Sequence, residues 1–152
     1  MADLITATRS QVANNAGNKA HPTAFNRPRS INIDTPPVWS AANGDTAGTA
    51  LVIPAGSRLL PLVELSNAVG AAGSTLAIGL RDAVTKVAID ATAIMAATSI
   101  AADQAIGVRT GTKASSGQFY TTPVDAEVYL TFGGAAPLAN QAIHAEFRFV
   151  SP

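Results

Sequence analysis

GTALVIPAGSRLLPLVELS, residues 48–66, decides the fold class. A short apolar run ends at Ile53, Pro54-Ala55-Gly56 turns the chain, and a second apolar run spans about Arg58 to Leu65. Proline presets φ for a turn and glycine supplies φ > 0, so the stretch predicts two strands joined by a tight corner. Pro61 has no N–H to give to a ladder, which predicts an edge or a bulge at that point.

Strand signals continue on both sides. Ile31 and Ile33 alternate with Asn32 and Asp34, and Pro36-Pro37 stops that run before Trp39. Asn43-Gly44-Asp45 marks a turn. Leu76, Ile78 and Leu80 alternate with Thr75, Ala77, Gly79 and Arg81, and Thr85, Val87 and Ile89 read as a further strand. In Ala91–Ala102, the spacing of Ile94, Met95, Thr98 and Ala102 fits a helical face, although threonine and isoleucine also suit a strand. The expectation there is a short helix or an irregular crossover. Ile106–Thr112 and Gln118–Thr122 are expected as short strands around the turn at residues 113–117. Toward the end, Ala126, Val128, Leu130 and Phe132 alternate with Asp125, Glu127, Tyr129 and Thr131. After Gly133-Gly134, Ile143, Ala145, Phe147 and Phe149 alternate with His144, Glu146 and Arg148. These are two amphipathic strands, each with one face for the core.

Eight or nine short strands with a turn signal every ten residues or so predict an all-β fold. The expected architecture is a single β-sandwich of jelly-roll type. An immunoglobulin-like sandwich is the alternative, but it pairs a core tryptophan with flanking cysteines, and this chain has no cysteine. Residues 1–30 lack a sustained apolar period and contain Pro22 and Pro28, so they are expected as an extended N-terminal arm. Residues 31–152 then form the sandwich domain. At 152 residues, a single domain of this size buries roughly 70% of its unfolded surface.

Charge narrows the partners. Ten basic and ten acidic residues cancel, and only 13% of residues are charged against 47% apolar. That is about half the usual charged share of roughly 25%, as suits a chain whose surface is largely covered in an assembly. The arm is basic: Arg9, Lys19, Arg27 and Arg29 stand against Asp3, about +3, while six basic and nine acidic residues leave the remainder at about −3. Such sparse charges suit an acidic protein surface or a neighbouring subunit better than nucleic acid, which asks for clustered charge with interleaved aromatics. No stretch approaches the ~20 apolar residues of a membrane span. Residues 1–4 show neither the basic nor the apolar region of a secretory signal.

Chemistry-bearing constellations are absent from the pattern. His21 and His144 have no second histidine or cysteine at zinc spacing, so no metal or cofactor is expected. His144, Glu146 and Arg148 read as a surface or interface ladder. Asp125 and Glu127 are about 7 Å apart, as any i, i+2 strand pair is, and do not single out a catalytic couple. The glycines at 70 and 73 and at 107 and 111 lack the lysine and serine or threonine of a phosphate loop. Trp39 is either a platform for sugar or a hydrophobic plug that ties the arm to the sandwich.

The run LVIPAGSRLLPL (51–62), followed by AVGAAGSTLAIGLR (68–81), resembles small structural proteins encoded among bacteriophage capsid genes. In those, a strand, P-A-G, strand unit precedes a G-A, S/T-T-L, hydrophobic, G pattern and an Ala/Thr-rich stretch. The resemblance covers about residues 50–110 and implies a head decoration (cement) protein with a β-sandwich body and a terminus that grips the shell. It implies no catalytic residues. The partner it implies is the major capsid protein, the site the capsid exterior of the virion after assembly in the host cytoplasm, and the oligomer a homotrimer. Arg9, Lys19, Arg27 and Arg29, with Trp39, are the expected capsid contacts. A fibre or tail-associated receptor-binding β-module is the competing reading.

Overall fold

The computed structural model describes residues 28–115 and 120–152, and all eight of its elements are strands. They are β1 (Pro28–Asp34), β2 (Thr46–Ile53), β3 (Arg58–Asn67), β4 (Thr75–Asp82), β5 (Ala88–Ser99), β6 (Gln104–Val108), β7 (Ala126–Gly133) and β8 (Ile143–Val150). Two four-stranded antiparallel sheets result, ordered β1-β8-β3-β6 and β2-β7-β4-β5. The β4–β5 hairpin is the one connection that stays within a sheet. Around it the chain doubles back so that β3 pairs β6, β2 pairs β7 and β1 pairs β8. A long hairpin rolled in this way into two sheets is the jelly roll.

The strongest alternations in the sequence occupy the central positions. β7 lies between β2 and β4, and β8 lies between β1 and β3. Ala126, Val128, Leu130 and Phe132 from β7 meet Ile143, Ala145, Phe147 and Phe149 from β8 in one buried cluster, with Leu76, Ile78 and Leu80 of β4. Residues with period-two apolar spacing can bury one face only by sitting on another sheet.

Two turns follow from their residues. Ser57 N donates to Pro54 O at 3.2 Å, and Gly56 takes φ +80°, the positive value that the third position of a type II turn requires. Pro61 falls where β3 and β8 lose register, between the pairs Leu59–Phe149 and Val63–Phe147. It also lies outside the β3–β6 ladder, which begins at Val63, so the missing N–H breaks no ladder bond.

Several local expectations are corrected. β1 ends at Asp34 and begins at Pro28, so residues 28–30 belong to a strand. The predicted strand through Thr85 and Val87 is a turn. There the carboxylate of Asp82 accepts from Val84 N and Thr85 N, and Lys86 takes φ +61°. The helix or crossover expected over 91–102 is the long strand β5. Between Ile78–Met95 and Leu80–Asp90 two steps along β4 are matched by five along β5. This large bulge puts Ala93, Ile94 and Met95 all in the interior, which breaks the alternation and imitates a helical face. Its freed carbonyls are satisfied from outside the ladder: Thr112 N donates to Thr92 O, and Lys113 N and Ala114 N donate to Ala93 O. β6 stops at Val108 rather than Thr112, because the following residues serve that bulge. Of the strand expected at 118–122, residues 118 and 119 lie outside the described residues, and Thr121 makes an isolated bridge to Arg58.

The bulge leaves β4 no room for a side chain at Gly79. A Cβ there would lie 2.6 Å from the carbonyl oxygens of both Asp90 and Ala91, and backbone cannot rotate away. Gly79→Ala is expected to cost about 1–3 kcal/mol by overpacking, read as a lower urea midpoint at unchanged slope. Gly107→Ala, whose Cβ would meet only the Leu62 side-chain end at 3.1 Å, is expected to move the midpoint far less.

Candidate functional site

The outward face of the second sheet carries a charge cluster that the sequence reading did not assemble. Arg81 of β4 and Glu127 of β7 are direct cross-strand partners. Arg81 Nε donates to Glu127 Oε2 at 3.0 Å and Nη2 to Oε1 at 3.1 Å, a two-pronged grip. Lys86, from the β4–β5 turn, adds a contact to Oε2 at 2.5 Å, and Ala50 N donates to Oε1 at 3.3 Å. The guanidinium lies over the Tyr129 ring, 5.6 Å from its centre. β2 passes so close that a Cβ on Gly48 would sit 2.1 Å from Arg81 Nη2.

Glu127 is 4% exposed, and the bonds from Arg81 and Lys86 hold its carboxyl far below the ordinary 4.5, at about 2. A carboxylate this firmly ionised is a poor proton donor or acceptor near neutral pH. The cluster therefore ties β2, β7, β4 and the β4–β5 turn together. Asp125, the other half of the i, i+2 pair, is used differently: its Oδ1 accepts from Ala55 N at 2.8 Å.

Other polar residues singled out by their chemistry also have structural partners. His144 Nδ1 lies 2.7 Å from Asp34 Oδ1, Ser30 donates to Glu146, and Arg148 Nη2 is 3.7 Å from Glu146 Oε1. This is the expected ladder on the outer face of the first sheet. Asp90 accepts from Thr92 N at 2.8 Å and from the Thr92 hydroxyl at 2.9 Å. Among the described residues no group of three or more His, Asp or Glu side chains is placed to hold a metal ion.

Of the residues singled out from sequence as capsid contacts, the two that are described lie toward opposite ends of β1. Arg9, Lys19 and Arg27 lie outside the described residues. Arg29 is exposed near the start of β1, paired in register with Phe149. Trp39 follows the other end of β1, half-buried against the core. Its ring centre is 5.3 Å from that of Phe132, and its Nε1 donates to Gln141 O at 2.8 Å. Trp39 N donates to Asn140 Oδ1, and Asn140 N returns a bond to Trp39 O, both at 2.9 Å. Pinned on three sides, Trp39 is a plug in the fold.

Among the described residues, two surfaces stand out. At the end where β2, β4 and β7 meet the 83–87 turn, Val84 (87% exposed), Val87 (66%), Val52 (47%) and Val124 (38%) face solvent. The turn is held to this end by Ala83 N donating to Asp125 O. Along the side of the sandwich, a groove of about 530 Å³ separates edge strand β1 from edge strand β2. Its lining includes Ile33, Leu51, Leu130, Phe132 and Trp39, together with the exposed Asp34 and Asp45.

Because Glu127 has a depressed pKa when folded, its contribution to stability is complete above about pH 4.5 and is lost as pH falls toward about 2. Glu127→Gln is expected to lower stability at pH 7 by about 1–3 kcal/mol. It is also expected to flatten the loss of stability between those pH values, read from urea midpoints taken from pH 2 to 7.

No protein-family model matches the sequence, and no curated protein matches it. Solved structures do share the fold. A chain in the capsid of Ralstonia phage GP4 superposes with a TM-score of 0.63 at 14% identity, over 83% of this chain and 85% of that one. A chain in the capsid asymmetric unit of cyanophage Pam1 superposes with a TM-score of 0.53 at 16% identity, over 91% of this chain and 96% of that one. The jelly-roll body is thus similar, over most of its length, to chains in two phage capsids.

Proposed function

We propose that this protein is a non-enzymatic structural component of a virion: a decoration (cement) protein that binds the outside of a phage capsid and bridges its subunits. The observation that carries the reading is the near end-to-end fold match to chains in two phage capsids, covering 85% and 96% of those chains. A match of that extent concerns a whole subunit rather than a shared motif. The partner is then the major capsid protein, the location the capsid exterior after assembly in the host cytoplasm, and the oligomer a trimer by analogy with similar proteins.

Physical features support it. The end from which residues 1–27 depart also carries the exposed valines at 52, 84, 87 and 124. Apolar side chains projecting from several loops at one end are a contact surface in search of cover. We assign this end, with the basic residues Arg9, Lys19, Arg27 and Arg29, to the shell. Each copy then stabilises the expanded shell by its differential affinity for that state. The receptor-binding alternative loses its platform: Trp39 is pinned into the core edge, and among the described residues every other aromatic ring is buried or half-buried.

Co-sedimentation with expanded empty heads of its own phage tests the reading. Truncation should remove residues 1–27 and stop there, since β1 starts at Pro28. The intact chain is expected to bind saturably, and either the truncation or the pair Val84→Asp and Val87→Asp to weaken binding at least tenfold. The valine pair should leave the urea midpoint nearly unchanged, because both side chains are exposed. Failure of the intact chain to bind expanded heads would sink the decoration reading and favour a fibre or tail-associated module.

A further inference from the structure

We infer that the groove between β1 and β2 receives a short strand from residues 1–27 of a second copy of the chain. The inference concerns contact between copies and does not depend on which surface meets the shell.

The groove is bordered by two strand edges. β1 pairs only with β8 and β2 only with β7, so each strand has its other edge toward the gap. Unpaired edges are templates for an added strand, with main-chain bonds giving affinity and alternate side chains filling pockets. The two edges differ. β2 loses register between Gly48 and Val52, with Ala50 at φ +59°, whereas β1 pairs without a break from Pro28 to Asp34. The regular edge is therefore β1, and it faces an apolar floor that includes Ile33, Leu130 and Phe132. The β1 part of the groove, Asn32 to Thr35, matches about four residues of an added strand at ~3.3 Å each.

Charge selects the occupant. Asp45 and Asp34, the latter bound to His144, are the charged residues of its lining, and no lysine or arginine is among them. Residues 1–27 carry Arg9, Lys19 and Arg27 against Asp3, about +2, and offer Leu4, Ile5, Val12 and Phe25 for an apolar floor. Reach is ample, because 27 extended residues span up to about 90 Å. Direction favours a neighbour over the same molecule. The groove is lined by the far half of β1, and the segment joins β1 at Pro28, the opposite end. A proline disfavours helical backbone at the residue before it, so the sequence at the junction opposes an immediate reversal along the molecule's own β1. Since about four residues fill the groove, the rest of the segment stays available for other contacts.

The chain has no cysteine, so introduced pairs report this contact alone. Full-length double variants combine Ala47→Cys, an exposed position bordering the groove, with Leu4→Cys, Val12→Cys or Phe25→Cys. Under mild oxidation at least one pair is expected to form disulfide-linked dimers or longer ladders on a non-reducing gel. The yield should be several-fold above that with Ala88→Cys, an exposed position on the far edge strand β5, or with either single variant. Trp39, the single tryptophan, lines the groove. Its emission should shift to the red on dilutions that separate the copies. A disulfide confined within one chain, seen as a faster band of monomer mass, would overturn the second-copy assignment. No disulfide above the Ala88 level with any of the three positions, or emission unchanged as copies separate, would overturn the groove as the docking site.

Discussion

The unbroken register between β4 and β7 is the constraint from which the rest of the molecule follows. Eight consecutive pairs run from Thr75–Gly133 to Asp82–Ala126. On the inner face this places Leu76, Ile78 and Leu80 opposite Phe132, Leu130 and Val128. On the outer face it places Arg81 opposite Glu127 and Gly79 opposite Tyr129. A slip of β7 by one residue would turn Glu127 into the core, away from Arg81, and the apolar row of β7 into water. Inner and outer faces thus specify the same register independently, one by apolar burial and the other by a charged fork. Replacing the fork with an apolar pair would keep the burial but remove one of the two signals.

Irregularity is concentrated away from that pair. β2, β3 and β5 each carry a register shift, and two of the three are edge strands of the second sheet. Bulges at edges twist the free backbone and make edge-to-edge pairing less favourable. On β5 the bulge is further capped by residues 112–114. β1 has no such device, and it borders the apolar groove between the two sheets. Of the four edge strands two are blunted, and of the two regular ones, β1 and the five-residue β6, β1 is the one that borders this groove.

The parts of the fold legible in the sequence are those where apolar and polar residue types alternate strictly. β7 and β8 could be placed almost to the residue because Val128, Leu130, Phe147 and Phe149 each point inward with a polar neighbour pointing out. Pro61 announced its bulge because a missing donor is visible in the residue itself. β5 was not legible. Its bulge sets Ala93, Ile94 and Met95 inward in succession, and a period-two test fails wherever the ladder supplies its bonds from a third segment. The Arg81–Glu127–Lys86 cluster was hidden for another reason. Glu127 lies 46 residues from Arg81 and 41 from Lys86, and only the strand order makes them neighbours. Trp39 stood out by its chemistry, but whether it faced solvent depended on Asn140 and Gln141, about a hundred residues away. The basic character of residues 1–27 was plain in the composition, whereas Asp34 and Asp45 line one groove only because the end of β1 comes near the start of β2.

The sandwich separates two kinds of contact. Its end with Val84 and Val87 exposes apolar side chains, the contact assigned above to the shell. Its β1–β2 side is concave and edged with backbone, suited to an extended segment of the same sequence. Linking copies through the second kind of contact changes the demand on the first. On the proposed decoration role, once one copy has docked, its linked neighbours would meet the shell at an effective concentration set by the linker, which can reach the millimolar range. Each individual docking surface can then be small and weakly charged, as the 13% charged composition of this chain requires. Avidity of this kind also explains why a small body need not carry a large flat interface of its own. It needs a rigid frame that keeps the apolar loops, the open edge and the departing N-terminal segment in fixed relation, and the β4–β7 register provides that frame.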